Sequence, residues 1–145
     1  MTRIMHSTLA LSLLLAAALA AAPKKVVQPK EFPTGRQFSP AILAGGTLYV
    51  SGQIGIDLKS GKIHEQFEAE VKLCLENIGI ILKAGGMEYE DVVAVQVYLT
   101  DMDQFQRMNS VYTTIFKEPR PTRTTVGVAK LAGGAHIEIT VTAKK

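Results

Sequence analysis

The sequence predicts a two-layer α+β domain, a mostly antiparallel or mixed sheet with two helices on one face. Three observations carry this. Two stretches repeat apolar residues at three- and four-residue spacing, the mark of a helix with one oily stripe. Several shorter stretches alternate apolar with polar residues, the mark of strands buried on one side. Glycine pairs and prolines separate them. One-sided strands and one-sided helices bury their apolar surface by packing on each other. At 145 residues, with 47% hydrophobic and 20% charged residues, the chain suits one domain with a real core.

The first residues form a leader. Arg3 supplies a positive start, and residues 9–22 are apolar except for Ser12. Ala18-Leu19-Ala20 fits the small-x-small cleavage pattern, so residues 1–20 read as a signal peptide cleaved near Ala20. The apolar run is shorter than the about 20 residues a membrane span takes, so no stable anchor is expected. The mature protein is expected to be secreted or periplasmic. Residues 21–31 read as a mobile tail and residues 32–145 as the single domain.

Along that domain, a first strand is expected around Ser39–Leu43, a turn at Gly45-Gly46, and a second strand at Thr47–Ser51. The longest helix runs from Glu65 to Ala84, with Phe67, Val71, Leu75, Ile78 and Leu82 in its stripe, and Gly85-Gly86 ends it. A third strand spans Asp91–Thr100. Val93, Val95, Val97 and Leu99 point one way, and Gln96 and Tyr98 the other. Asp101 or Asp103 caps a second helix over Gln104–Phe116. The stretch from Pro119 to Ala143 reads as a β-hairpin, with Val126, Val128, Ile137, Ile139 and Val141 inward and a turn at Gly133-Gly134.

The sheet face away from the helices would then carry Tyr49, Ser51, Gln96, Tyr98, Arg123, Thr125, Glu138 and Thr140. So many rings and hydroxyls suit burial against further copies of the chain better than open solvent. Within that face Arg123 is a candidate anion anchor, because a guanidinium grips a carboxylate with two parallel hydrogen bonds. Glu138 is a candidate for handling water and protons. In a hairpin these two residues are offset by about four positions, roughly 13 Å. Arg123 of one copy with Glu138 of its neighbour is the simpler pairing around a small ligand.

Other chemistries find little support. The formal charge of +3 is scattered, with no basic stripe for nucleic acid. Cys74 is the only cysteine, so no intramolecular disulfide can form, and it reads as a buried structural thiol. His64 and His136 are isolated from other metal-binding residues, and no phosphate- or dinucleotide-binding glycine motif occurs. No metal or organic cofactor is expected.

Spaced motifs add a resemblance. P-T-R-T-T-V-G-V-A-K-L at 121–131 is followed five residues later by I-E-I at 137–139. With Y-V-S-G-Q-I at 49–54, L-E-N-I at 75–78, E-D-V-V at 90–93, V-Y-L-T-D-M-D at 97–103 and M-N-S-V-Y at 108–112, the chain resembles the Rid (YjgF) family of reactive intermediate deaminases. The resemblance covers about Phe32 to Ala143. It implies a chorismate-mutase-like fold, a homotrimer with ligand clefts at the subunit boundaries, and hydrolysis of small 2-imino acids without metal or cofactor. It implies that Arg123 binds the substrate carboxylate and Glu138 positions or activates water. Ser51, Gly52, Asn109 and Thr125 match cleft-lining positions. Phe38 stands where the family usually has a tyrosine, and Thr124, expected on the core side, stands where a smaller residue is usual. The expected activity is that of an exported 2-iminobutanoate/2-iminopropanoate deaminase. The alternatives are a non-catalytic homologue that binds small carboxylates, or an interaction protein of holdase or ribonuclease type.

Overall fold

The computed structural model describes residues 23–145. Residues 1–20, expected to be a signal peptide, lie outside the described residues. Seven strands form one mixed sheet: β1 (Lys25–Val27), β2 (Ala41–Ala44), β3 (Thr47–Val50), β4 (Gln53–Ile54), β5 (Val92–Leu99), β6 (Thr122–Gly127) and β7 (Ile137–Lys144). Two helices, α1 (Phe67–Ala84) and α2 (Phe105–Ile115), pack on one face. The sheet order is β1-β2-β3-β7-β5-β6, with β4 also paired to β7. Among the described residues no helix is long and apolar enough to cross a membrane.

The helices follow their sequence pattern. Val71, Cys74, Leu75 and Ile78 are fully buried, as are Ile81 and Leu82 to within 1%, so the α1 stripe faces the sheet. The helix starts two residues later than expected and ends at Gly85; Gly86 takes the positive φ of 73° that turns the chain away. Asp101 caps the second helical segment, its Oδ1 accepting from the Asp103 N–H. One tight turn, Met102–Gln104, precedes α2.

Three expectations are corrected. Residues 119–143 do not form a hairpin. β6 pairs in parallel with β5, and β7 pairs antiparallel with the other edge of β5, so β5 lies between them. β7 also pairs with β3 and β4, which makes it a central strand. Alternation reports which faces a strand buries and says nothing about its partner. Gly133 and Gly134 do take positive φ, 64° and 74°, but the turn carries the chain across β5 instead of back along β6.

Second, Val93 points away from the core. The β5–β7 register shifts between Val92 and Ala94, so Val92 is buried while Val93 is 48% exposed. Third, the stretch expected as a mobile tail contains β1, an edge strand whose Val27 pairs with Ala41 and joins the core together with Phe32. The strand expected around Ser39–Leu43 is β2, shifted to Ala41–Ala44.

Candidate functional site

Parallel pairing of β6 decides where its side chains go. Arg123 is in register with Val95 and Thr125 with Val97, and both valines are buried under the helices. Arg123 and Thr125 therefore project to the helix side of the sheet edge, not to the open face expected for them. Thr122, Thr124 and Val126 take the open face instead, all exposed. Thr124 is in register with Gln96 and is not on the core side, and Val126 is not inward. An edge strand next to a helix gives its alternate residues that helix as a neighbour, which a hairpin would not have done.

Arg123 lies against α2. Its guanidinium carbon is 4.6 Å from the centre of the Tyr112 ring and 5.5 Å from that of Phe105. Nη1 is 3.9 Å from Met108 Sδ. Ring faces attract the cation without consuming its planar N–H edge. The ion pairs among the described residues are Lys72–Glu76, Arg107–Glu68, Arg120–Glu118, His136–Glu70 and Lys145–Asp91, and Arg123 takes part in none. Asn109 shares the α2 surface with Phe105 and Tyr112, at four- and three-residue spacing, with Nδ2 3.5 Å from Gln106 Oε1. The Thr125 hydroxyl is buried and has no hydrogen-bond partner in the chain.

Glu138 sits on the opposite, open face. It is in register with Ile54 on one side and Tyr98 on the other. Its carboxylate lies directly over Gly52: a Cβ there would collide with Oε1 and lie 2.9 Å from Cδ. Only glycine leaves room for the acid at that point. Ser51, next in the chain, donates its hydroxyl to the Ser39 carbonyl at 2.7 Å. Phe38 is 52% exposed, with the Arg36 guanidinium 5.8 Å from its ring centre. Serine, glycine and glutamate thus gather on one surface, and arginine, threonine and asparagine on another.

Polar groups of α1 hold the Gly52 segment, and the sequence reading missed most of them. The Cys74 thiol donates to the Gln53 carbonyl at 3.0 Å, and burial pushes its pKa well above the usual thiol range. Asn77 Nδ2 donates to the Ile54 and Ile56 carbonyls at 3.3 and 2.9 Å. Glu70 is fully buried. Its Oε1 accepts from the His136 N–H at 2.7 Å and the Ile137 N–H at 3.4 Å, and its Oε2 lies 2.8 Å from His136 Nδ1. The start of β7, immediately before Glu138, is thereby fixed to α1. The available signal was a carboxylate three residues after Phe67, inside the apolar stripe.

A cleft of about 510 Å³ opens where the N-termini of both helices meet, lined by Glu65, Gln66, Phe67, Asp101, Gln104, Arg107 and His136. It contains none of the expected site residues. Arg123 and Glu138 lie instead on opposite faces of one sheet. No His, Cys, Asp or Glu cluster among the described residues could hold a metal ion.

Comparison with known proteins decides the family. The family model described as Endoribonuclease L-PSP matches residues 29–145. The chain belongs to this family, the Rid (YjgF) family. Among Rid relatives, the rat 2-iminobutanoate/2-iminopropanoate deaminase is 40% identical over 118 residues, 80% of this chain and 86% of that protein. The RidA structure from an Antarctic Psychrobacter superposes with a TM-score of 0.79 at 34% identity, covering 83% of this chain and 99% of the other. Escherichia coli TdcF, solved with bound serine, superposes with a TM-score of 0.78 at 29% identity, covering 83% and 98%. The Rid fold is thus that of the chain, a mixed sheet with two helices on one face.

Proposed function

We propose that the chain is an exported, metal-independent deaminase of small 2-imino acids, working as a homotrimer with each site shared between neighbouring copies. The observation that carries this reading is the arrangement of Arg123 and Glu138: an ion-pair-free guanidinium on the helix side and a carboxylate over Gly52 on the open side. Relatives about 40% identical are named as 2-iminobutanoate/2-iminopropanoate deaminases, which supports the reaction class.

Arg123 of one copy grips the substrate carboxylate in a two-point bond. This fixes the imine carbon relative to Glu138 of the neighbour. The Glu138 carboxylate orients a water and takes its proton as the oxygen adds to the C=N carbon. The nitrogen gains protons and leaves as ammonia, and the carbon keeps the oxygen as a 2-keto acid. An enamine enters the same path after its carbon is protonated to give the imine. Tyr49, Val93 and Val126, 54%, 48% and 41% exposed on the open face, support burial of that face between copies.

The deciding experiment supplies aminoacrylate from an amino-acid dehydratase and measures pyruvate and ammonia with and without the protein. Faster release that Arg123→Ala abolishes is the expected result. Phe38, without the hydroxyl of the usual tyrosine, favours a second reading, a non-catalytic binder of small carboxylates. Arg123-dependent carboxylate binding without turnover of any imino acid would establish that reading instead. Export is tested by mass spectrometry of protein from its native host. An N-terminus near Ala21 is expected, and a full-length species would refute it.

A further inference from the structure

The surroundings of Arg123 contain more than the anchor itself. Its partners on α2 are Phe105, Met108 and Tyr112, residues whose three- and four-residue spacing marks them as an ordinary core stripe. Yet they meet the charged end of an arginine. Two hydroxyls of the same layer, those of Tyr112 and Thr125, are buried without a hydrogen-bond partner in the chain. Tyr112 is 2% exposed, and burial raises the pKa of its hydroxyl, which keeps it protonated. The layer therefore holds a cation without an anion and two hydroxyls without acceptors. A core stripe alone does not account for that combination.

The platform is itself braced. Tyr112 packs on Phe116 with ring centres 4.6 Å apart, and Phe116 meets Tyr89 edge-on at 5.7 Å. The Tyr89 hydroxyl donates to the Leu75 carbonyl of α1 at 2.8 Å. A guanidinium laid on such a surface loses most of its rotational freedom, and its N–H edge is aimed before any ligand arrives. Two-point recognition of a carboxylate depends on that aim, because both bonds lie in the guanidinium plane.

We propose that Tyr112 and Phe105 are positioning residues of the Arg123 site: their rings set the plane of the guanidinium and so the affinity for the ligand carboxylate. The inference rests on the reading of Arg123 as a carboxylate anchor. The ring face of Tyr112 carries the effect and its hydroxyl does not. The effect therefore belongs to the planar guanidinium, since an ammonium is a point charge with no plane to orient.

The test is calorimetric titration of the full-length mature protein with 2-oxobutanoate, a stable 2-keto acid, with thermal unfolding followed on each variant. Tyr112→Leu is expected to weaken binding about 3- to 30-fold, the range spanned by cation–π contacts. Tyr112→Phe, which restores the ring, is expected to restore the affinity. In an Arg123→Lys background Tyr112→Leu should lose most of its effect. If Tyr112→Leu fails to fold, Phe105→Leu, on the less buried side of the same cradle, carries the test with the same expected direction. Binding that is unchanged in the leucine variants but absent in Arg123→Ala overturns the cradle and leaves the anchor standing. So does a Tyr112→Phe protein that binds as poorly as Tyr112→Leu. Binding that survives Arg123→Ala removes the anchor itself, a distinguishable failure.

Discussion

Arg123 and Glu138 project from opposite faces of one sheet. Arg123 is in register with Val95, buried beneath the helices, and Glu138 with Tyr98, three residues further along the same strand β5. Side chains alternate along a strand, so an odd separation puts them on opposite sides. Two strand spacings and three residues of offset also separate their Cα atoms by roughly 14 Å. One small ligand touching both must be held between two copies of the chain.

Mixed assemblies test this directly. Arg123→Ala and Glu138→Gln proteins should each be inactive alone. Refolded or co-expressed together, they should recover about a quarter of wild-type activity, because random assembly pairs an intact Arg123 with an intact Glu138 at that fraction of shared sites. Activity measured on the mixture, against each parent, reads this out. No recovery in an assembly proven mixed by mass spectrometry would place both residues in one chain's site.

Gly52→Ala should cost rate and not fold. The new methyl meets the flexible end of Glu138, which can swing away and lose its place over the water. A loss of roughly 10-fold or more in turnover is expected from misplacing the base by about an ångström. Carboxylate binding through Arg123 should persist. Steady-state kinetics beside 2-oxobutanoate titration separates the two effects.

Glu70→Ala should be strongly destabilising. It leaves the His136 and Ile137 N–H groups without their acceptor and removes the contact with His136 Nδ1. A cost of about 1–3 kcal/mol is expected for each buried donor left unsatisfied. Urea unfolding should show it as a lower midpoint with an unchanged slope. Glu70→Gln, which keeps one acceptor, should lose less.

The Glu68–Arg107 pair gives a signed pH effect. Arg107 donates to both Glu68 oxygens, from Nε at 2.5 Å and Nη2 at 2.6 Å, and this hydrogen bonding holds the Glu68 pKa at about 2. A folded-state pKa below the unfolded one gives stability that is fully present above the ordinary carboxylate value of 4.5 and is lost as pH falls through about 2. The group is exposed, so the effect on folding is small and the titration itself is the better readout. Carboxyl NMR should place Glu68 low in the wild type and near the ordinary value in Arg107→Ala.

Most elements and both layers were legible in the amino-acid pattern. Periodicity located α1, α2 and strands β2, β3, β5, β6 and β7 to within a few residues, because a buried stripe must repeat at 3.6 or 2 residues wherever the partner lies, and it missed the short strands β1 and β4. Spaced motifs identified the family, since Y-V-S-G-Q-I, P-T-R-T-T and I-E-I occur in that order along one chain. Strand partners, and with them the faces, were set by long-range packing. Inserting β5 between β6 and β7 moved Arg123 and Thr125 under α2 while leaving Glu138 outside. A bulge at Val92–Ala94 turned Val93 outward, and the carboxylate of Glu70 found two backbone N–H groups and a ring nitrogen that lie 66 and 67 residues away in sequence. Pairing and long-range polar satisfaction depend on how distant segments meet in space, and a local pattern of apolar residues carries no record of that.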